Sequence, residues 1–126
     1  MTGMPTVSFL IPAHDRPREL KAALASCLTQ SCEDWEAVVV DDHSDLADLQ
    51  GLVAGFGDER MRYTRLESGE HGVSAARNRA VALARSDRLV TLDSDDLNHP
   101  DRAARCRVLL DPEQPQLIYT RVRLFS

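Results

Sequence analysis

Val7-Ser8-Phe9-Leu10-Ile11-Pro12-Ala13-His14-Asp15-Arg16-Pro17 passes from a bulky, β-rich run through a polar loop to a residue suited to the first turn of a helix. A short continuous apolar run stopped by a proline reads as a buried strand, here Val7 to Ile11. Beyond Pro17, the residues Leu20, Leu24, Cys27 and Leu28 recur at helical spacing, so an amphipathic helix follows.

The same unit recurs along the chain. Ala37 to Val40 reads as a second buried strand ending in Asp41-Asp42, and Ser44 is placed to cap a helix carrying Leu46, Leu49, Val53 and Phe56, closed by Gly55 and Gly57. Arg62 to Leu66 is a third, more polar strand, and a Gly69/Gly72 loop leads into a helix from Val73 to Ala84. Leu89 to Leu92 is a fourth strand running into Asp93-Ser94-Asp95-Asp96, after which Pro100 starts a helix with Ala103, Cys106 and Leu110 on one side. Leu117 to Leu124 alternates with period two, as a half-exposed strand does. Apolar strands separated by amphipathic helices predict an α/β fold, a Rossmann-like, mostly parallel sheet with helices on both faces.

Composition narrows the function. A chain of 126 residues makes one compact domain, and 43% hydrophobic with 28% charged residues is ordinary globular usage. The net charge is −5, and the fourteen arginines and single lysine, Lys21, are scattered, which argues against a nucleic-acid partner. No apolar run approaches the ~18 residues of a membrane span. Met1 to Pro5 lacks the features of a secretory signal, so a soluble, cytoplasmic protein is expected. Cys27, Cys32 and Cys106 are odd in number and form no metal-type spacing, so they imply neither a disulfide framework nor a zinc site; Cys27 reads as a buried thiol.

In open α/β sheets ligands bind beyond the carboxyl ends of the strands, where the polar clusters of this chain fall. Asp93 and Asp95 offer hard oxygen ligands suited to Mg²⁺ or Mn²⁺, though the same tetrapeptide also reads as a solvated turn. Asp41-Asp42 serves equally as a helix cap, and His14 as a surface loop histidine. Arg77 shares the apolar stripe of Val73, Ala76, Ala80, Leu83 and Ala84, and a buried guanidinium needs a partner. A strand-end carboxylate such as Asp41 or a ligand phosphate would serve.

Four stretches in order, Val7 to Pro17, Val38 to Ser44, Gly72 to Ala80 and Leu92 to Asp96, resemble the family 2 glycosyltransferases of GT-A fold. The resemblance implies metal-assisted, inverting transfer of a sugar from a nucleotide-diphosphate donor, a UDP-sugar, to an acceptor hydroxyl. It assigns Pro12, His14 and Asp42 to the base and ribose, and a carboxylate can accept the imide N–H of uracil. It places Asp93 near the ribose, Asp95 with Asp93 as metal ligands for Mg²⁺ or Mn²⁺, and Arg77 in support of the pocket. His14-Asp15 stands where the family usually carries Tyr-Asn.

In that family the acceptor-binding half and its general base lie beyond the metal motif. Residues 1–126 are therefore expected to be one glycosyltransferase domain truncated on its C-terminal side, binding donor and metal but inactive alone, with the catalytic base and the saccharide or lipid-linked acceptor unassigned. The edge of Leu117 to Leu124 is expected to pair in a homodimer. The alternatives are a non-catalytic nucleotide-sugar-binding module and a haloacid-dehalogenase-type phosphatase using Leu92-Asp93-Ser94-Asp95. The phosphatase motif here comes late and is followed by Asp96-Leu97. A signalling receiver fails because Lys21 precedes the acidic pair.

Overall fold

The computed structural model describes residue 5, residues 7–93 and residues 100–109, the last three by their backbone alone. The elements alternate: β1 (Val7–Ala13), α1 (Pro17–Leu28), β2 (Trp35–Asp41), α2 (Leu49–Gly55), β3 (Met61–Arg65), α3 (Val73–Leu83), β4 (Leu89–Thr91) and α4 (Arg102–Leu109). The strands form one parallel sheet in the order β3-β2-β1-β4. The chain steps outward from β1 to β3, then crosses back to lay β4 on the other side of β1. That reversal makes a topological switch point between β1 and β4.

Alternation along each strand sorts the side chains between two layers of helices. Val7, Phe9, Ile11 and Ala13 of β1, with Trp35, Ala37 and Val39 of β2, pack against Leu20, Leu24 and Cys27 of α1, Leu49 and Val53 of α2, and Ala103 of α4. Leu10, Val38 and Val40 face the other way, onto Ala76 and Ala80 of α3. Full burial of a side chain such as Phe9 or Leu24 contributes roughly 1.5–3 kcal/mol, so this two-sided packing fixes the register of β1 and β2. The small residues of α3 let that helix approach the sheet closely. Helices thus cover both faces, as the sequence pattern requires.

Three local expectations are corrected. Pro12 does not end β1, which runs to Ala13. The backbone groups of Ser8 and Leu10 point toward β4, as the bonds Ser8 N–H to Arg88 O and Leu92 N–H to Leu10 O show. Pro12 shares their side, and β4 pairs only with Ser8 to Leu10, so the missing N–H removes no ladder bond.

Ser44 does not cap α2. Its Oγ accepts the Asp15 N–H at 2.9 Å, while the Asp15 carboxylate accepts the N–H groups of Asp45, Leu46 and Ala47. This bracket holds 45–47 out of the helix and leaves Leu46 92% exposed; Asp48 then caps α2 by accepting the Gly51 N–H. The apolar stripe of α3 is narrower than expected, with Ala76 and Ala80 buried and Val73 exposed. Cys27 is a buried thiol, as expected. Leu110 and the Leu117 to Leu124 segment lie outside the described residues.

Among the described residues no helix is long and apolar enough to cross a membrane. One polar cluster is built into the α3 side of the sheet. Glu36, 3% exposed, accepts from Ser8 Oγ at 2.6 Å, the Arg85 N–H at 2.6 Å and Arg62 Nη1 at 2.9 Å. Burial pushes its carboxyl up, but these donors and the Arg62 charge outweigh burial and hold it below the ordinary value.

Candidate nucleotide-binding cleft

The loops beyond β1, β2 and β4 meet the first turns of α3 around a cleft of about 450 Å³. Pro12, Ala13, His14 and Arg16 supply one wall, Asp42 another, Val73, Ala76 and Arg77 a third, and Asp93 closes the side toward β4. The volume lies in the range of ordinary small-molecule sites. The five residues singled out for nucleotide contacts, Pro12, His14, Asp42, Arg77 and Asp93, all line this one cavity. Asp95, the metal-ligand candidate, lies outside the described residues.

Hydrogen bonds between the loops fix the walls. His14 Nδ1 donates to the Asp42 carbonyl at 2.6 Å, and the Asp42 N–H donates to the Ala13 carbonyl at 2.8 Å, tying the loop after β1 to the loop after β2. A carbonyl only accepts, so Nδ1 carries the proton of the His14 ring. Asp42 Oδ2 accepts the Gly72 N–H at 3.0 Å, which ties the same loop to the start of α3. Gly72 has φ 96°, a left-handed conformation that a side chain would strain. Asp42 is thus not a cap of α2; it anchors the entry to α3 from across the sheet.

Arg77 reaches over the cleft floor. Its Nη2 donates to Asp93 Oδ1 at 2.7 Å, and both side chains are partly exposed, 40% and 47%. Its Nε is buried without a hydrogen-bond partner among the described residues. An unsatisfied buried donor costs about 1–3 kcal/mol.

The expected partner Asp41 is not available to Arg77. Asp41 sits at an odd position of β2 and faces away from α3, where it accepts from Tyr63 Oη at 2.6 Å, Arg65 Nη1 at 3.4 Å and the Ser44 N–H at 3.0 Å. Burial together with the Asp41 carboxylate pushes the Tyr63 phenol up to about 12. On the other side of His14, burial raises the Asp15 carboxyl, but the three loop N–H groups and then His14 outweigh it and hold it low.

Arg16 and Val73 also line the cleft, and no local pattern in the sequence marks either as a site residue. Helical spacing puts Val73 on the buried stripe of α3, but its place as the first residue after a left-handed glycine turns it to the cavity instead.

The model of the glycosyl transferase family 2 matches residues 8–125. The chain belongs to that family. Among its relatives this family 2 chain is 37% identical over 102 residues to the succinoglycan biosynthesis protein ExoO of Rhizobium meliloti (strain 1021), covering 81% of the chain and 29% of that protein. It is 32% identical over 91 residues to the Escherichia coli enzyme named UDP-Glc:alpha-D-GlcNAc-diphosphoundecaprenol beta-1,3-glucosyltransferase WfgD, covering 72% of the chain and 35% of that enzyme. The family 2 chain therefore spans about a third of the length of these relatives.

The fold is shared with the mannosyltransferase PcManGT from Pyrobaculum calidifontis, solved in complex with GDP-Man and Mn²⁺. The TM-score is 0.70 at 24% identity, over 88% of this chain and 34% of that one. The family settles against a phosphatase or a receiver module.

Proposed function

We propose that the cleft binds a nucleoside-diphosphate sugar, with UDP as the nucleotide, and that the chain is the donor-binding portion of one glycosyltransferase domain. The observation that carries this reading is the convergence of His14, Asp42, Arg77 and Asp93 on one cavity at the switch point of the sheet. In the full reaction an acceptor hydroxyl attacks the anomeric carbon with inversion, and the nucleoside diphosphate leaves. The named activity of the WfgD relative on UDP-Glc supports the donor class.

The residues divide the work by their chemistry. The Asp42 carboxylate, oriented by the Gly72 N–H, accepts the imide N–H of the base. His14 and Pro12 shape the edge of the base and ribose subsite. Arg77, with its guanidinium at the cavity wall, takes the diphosphate oxygens. Asp93 holds Arg77 in place and stands beside the ribose.

The donor set also fits a hard divalent cation. Arg77 engages Oδ1 of Asp93, and among the described residues no hydrogen bond reaches its second oxygen, which with Asp95 would serve as a ligand of Mg²⁺ or Mn²⁺. Such an ion supplies Lewis-acid neutralisation of the leaving diphosphate. The Mn²⁺ in the PcManGT complex supports this cofactor class.

Calorimetric titration of the chain with UDP, with and without Mn²⁺, tests the reading. Binding is expected to strengthen with Mn²⁺, and Asp95→Ala is expected to remove that enhancement without lowering the melting temperature. Metal-independent binding that Asp95→Ala leaves unchanged would remove the metal assignment. Absence of UDP binding would remove the donor assignment.

A further inference from the structure

Asp42, His43 and His71 each offer a metal-ligating atom, and these atoms lie within 4.8 Å of one another. His43 and Asp42 follow β2, whereas His71 precedes α3, so residues about thirty positions apart are brought together by the fold. The imidazole rings of His43 and His71 stand 4.6 Å apart between centroids. None of the cysteines takes part.

The outer contacts of the cluster are those of a prepared site. His43 Nε2 donates to the Glu70 carbonyl at 2.7 Å, which leaves its Nδ1 lone pair as the one that can ligate. A histidine whose second nitrogen donates to a backbone carbonyl is the usual arrangement of a metal ligand, because that bond fixes both the tautomer and the ring orientation. Asp42 Oδ2 accepts the Gly72 N–H. The two residues flanking His71 are therefore held by the two other prospective ligands, and His71 is presented between them.

The backbone of His43 lies in the left-handed region with φ 54°. The bond to Glu70 holds it in that conformation, which a histidine adopts more readily than most residues. Ligands about 2.0–2.1 Å from a tetrahedral ion stand roughly 3.4 Å apart. His71 is exposed, so a side-chain rotation can close the remaining distance.

We infer that Asp42, His43 and His71 form a Zn²⁺-class site at the rim of the cleft, with two imidazole nitrogens and one carboxylate oxygen as ligands and an open fourth position. Imidazole-rich sites of this composition select Zn²⁺, Co²⁺ or Ni²⁺ over Mg²⁺. Because Asp42 is shared, an ion here withdraws the carboxylate assigned to the nucleotide base, and Zn²⁺ is expected to compete with UDP. That consequence rests on the proposed donor site; the metal site does not.

Titration of the purified chain with Co²⁺, followed by visible d–d absorption, reads the site without nucleotide, and competition with Zn²⁺ gives the Zn²⁺ affinity. One equivalent of Co²⁺ is expected to give a four-coordinate spectrum that Zn²⁺ abolishes. His71→Ala, a change at an exposed loop residue, is expected to weaken Zn²⁺ by at least about 100-fold, the upper end of what loss of a mere supporting contact costs. His43→Ala is expected to do the same, and Asp95→Ala to leave the affinity unchanged. Binding insensitive to His71→Ala, binding abolished by Asp95→Ala, or no four-coordinate Co²⁺ spectrum would each overturn the site. If UDP fails to bind while Co²⁺ binds as described, only the donor reading falls.

Discussion

Replacing Asp42 by asparagine and by alanine separates anchoring of the loop from recognition of the base. In the native cleft one oxygen, Oδ2, accepts the Gly72 N–H at 3.0 Å, and the carboxylate faces the cavity. Asparagine retains an oxygen for Gly72, so Asp42→Asn is expected to keep stability within about 0.5 kcal/mol. It then presents an NH₂ donor to the imide N–H of the base, setting donor against donor. Loss of a hydrogen bond to a charged group costs about 1.5–3 kcal/mol, which is roughly 10- to 150-fold in Kd for UDP. Alanine loses both bonds. Asp42→Ala should show the same affinity loss together with about 1–2 kcal/mol of destabilisation, or roughly 4–8 °C in melting temperature for a domain of this size. Calorimetric titration with UDP in the presence of chelator, paired with thermal melts, measures both quantities. If Asp42→Asn binds UDP within about twofold of the native chain, or if affinity falls only in step with melting temperature, the carboxylate is a structural anchor and the base assignment is wrong.

Arg77→Ala should weaken UDP far more than uridine, because only UDP carries the diphosphate that the guanidinium is assigned to hold; equal losses for both would move Arg77 to a purely structural role. Glu36→Ala removes the partner of the partly buried Arg62 and three hydrogen bonds, and should destabilise the chain by about 3–5 kcal/mol in denaturant titration, against little change for an exposed control such as Glu19→Ala. Because the folded state lowers the Glu36 carboxyl below its ordinary 4.5, its contribution is present above that pH and is lost as pH falls through the lowered value, so an acid melting series should lose this increment in the native chain and not in Glu36→Ala. Tyr63 is shifted the other way, to about 12 from 10.0, so its contribution is complete below pH 10 and disappears as pH rises toward 12; Tyr63→Phe should abolish that alkaline decline in stability.

Much of the fold was legible because its signals are local. Buried strands show as continuous apolar runs and helices as a 3.6-residue recurrence, and those two periods set the order β1-α1-β2-α2-β3-α3-β4-α4. The position of the polar clusters at strand ends likewise follows from the sequence, since the residue after a buried strand must leave the sheet. Where local signals failed, the competing group lay far away. Ser44 has the chemistry of a cap, but the carboxylate and N–H of Asp15, thirty residues earlier in the chain, claim the segment. Pro12 has the chemistry of a stop, but the short β4 leaves its side of β1 unpaired.

The sequence by itself determined which residue types could form a cleft; only the tertiary structure decided which of them meet. Arg77 pairs with Asp93 and not with Asp41 because side-chain alternation turns Asp41 to the α2 face while α3 covers the other. Asp42 reaches Gly72, and His43 comes beside His71, because the chain returns to the carboxyl edge of the sheet before α3 begins. No period within one segment carries that information. The strand order β3-β2-β1-β4 does, since it fixes which strand ends are neighbours and therefore which loops share a cavity.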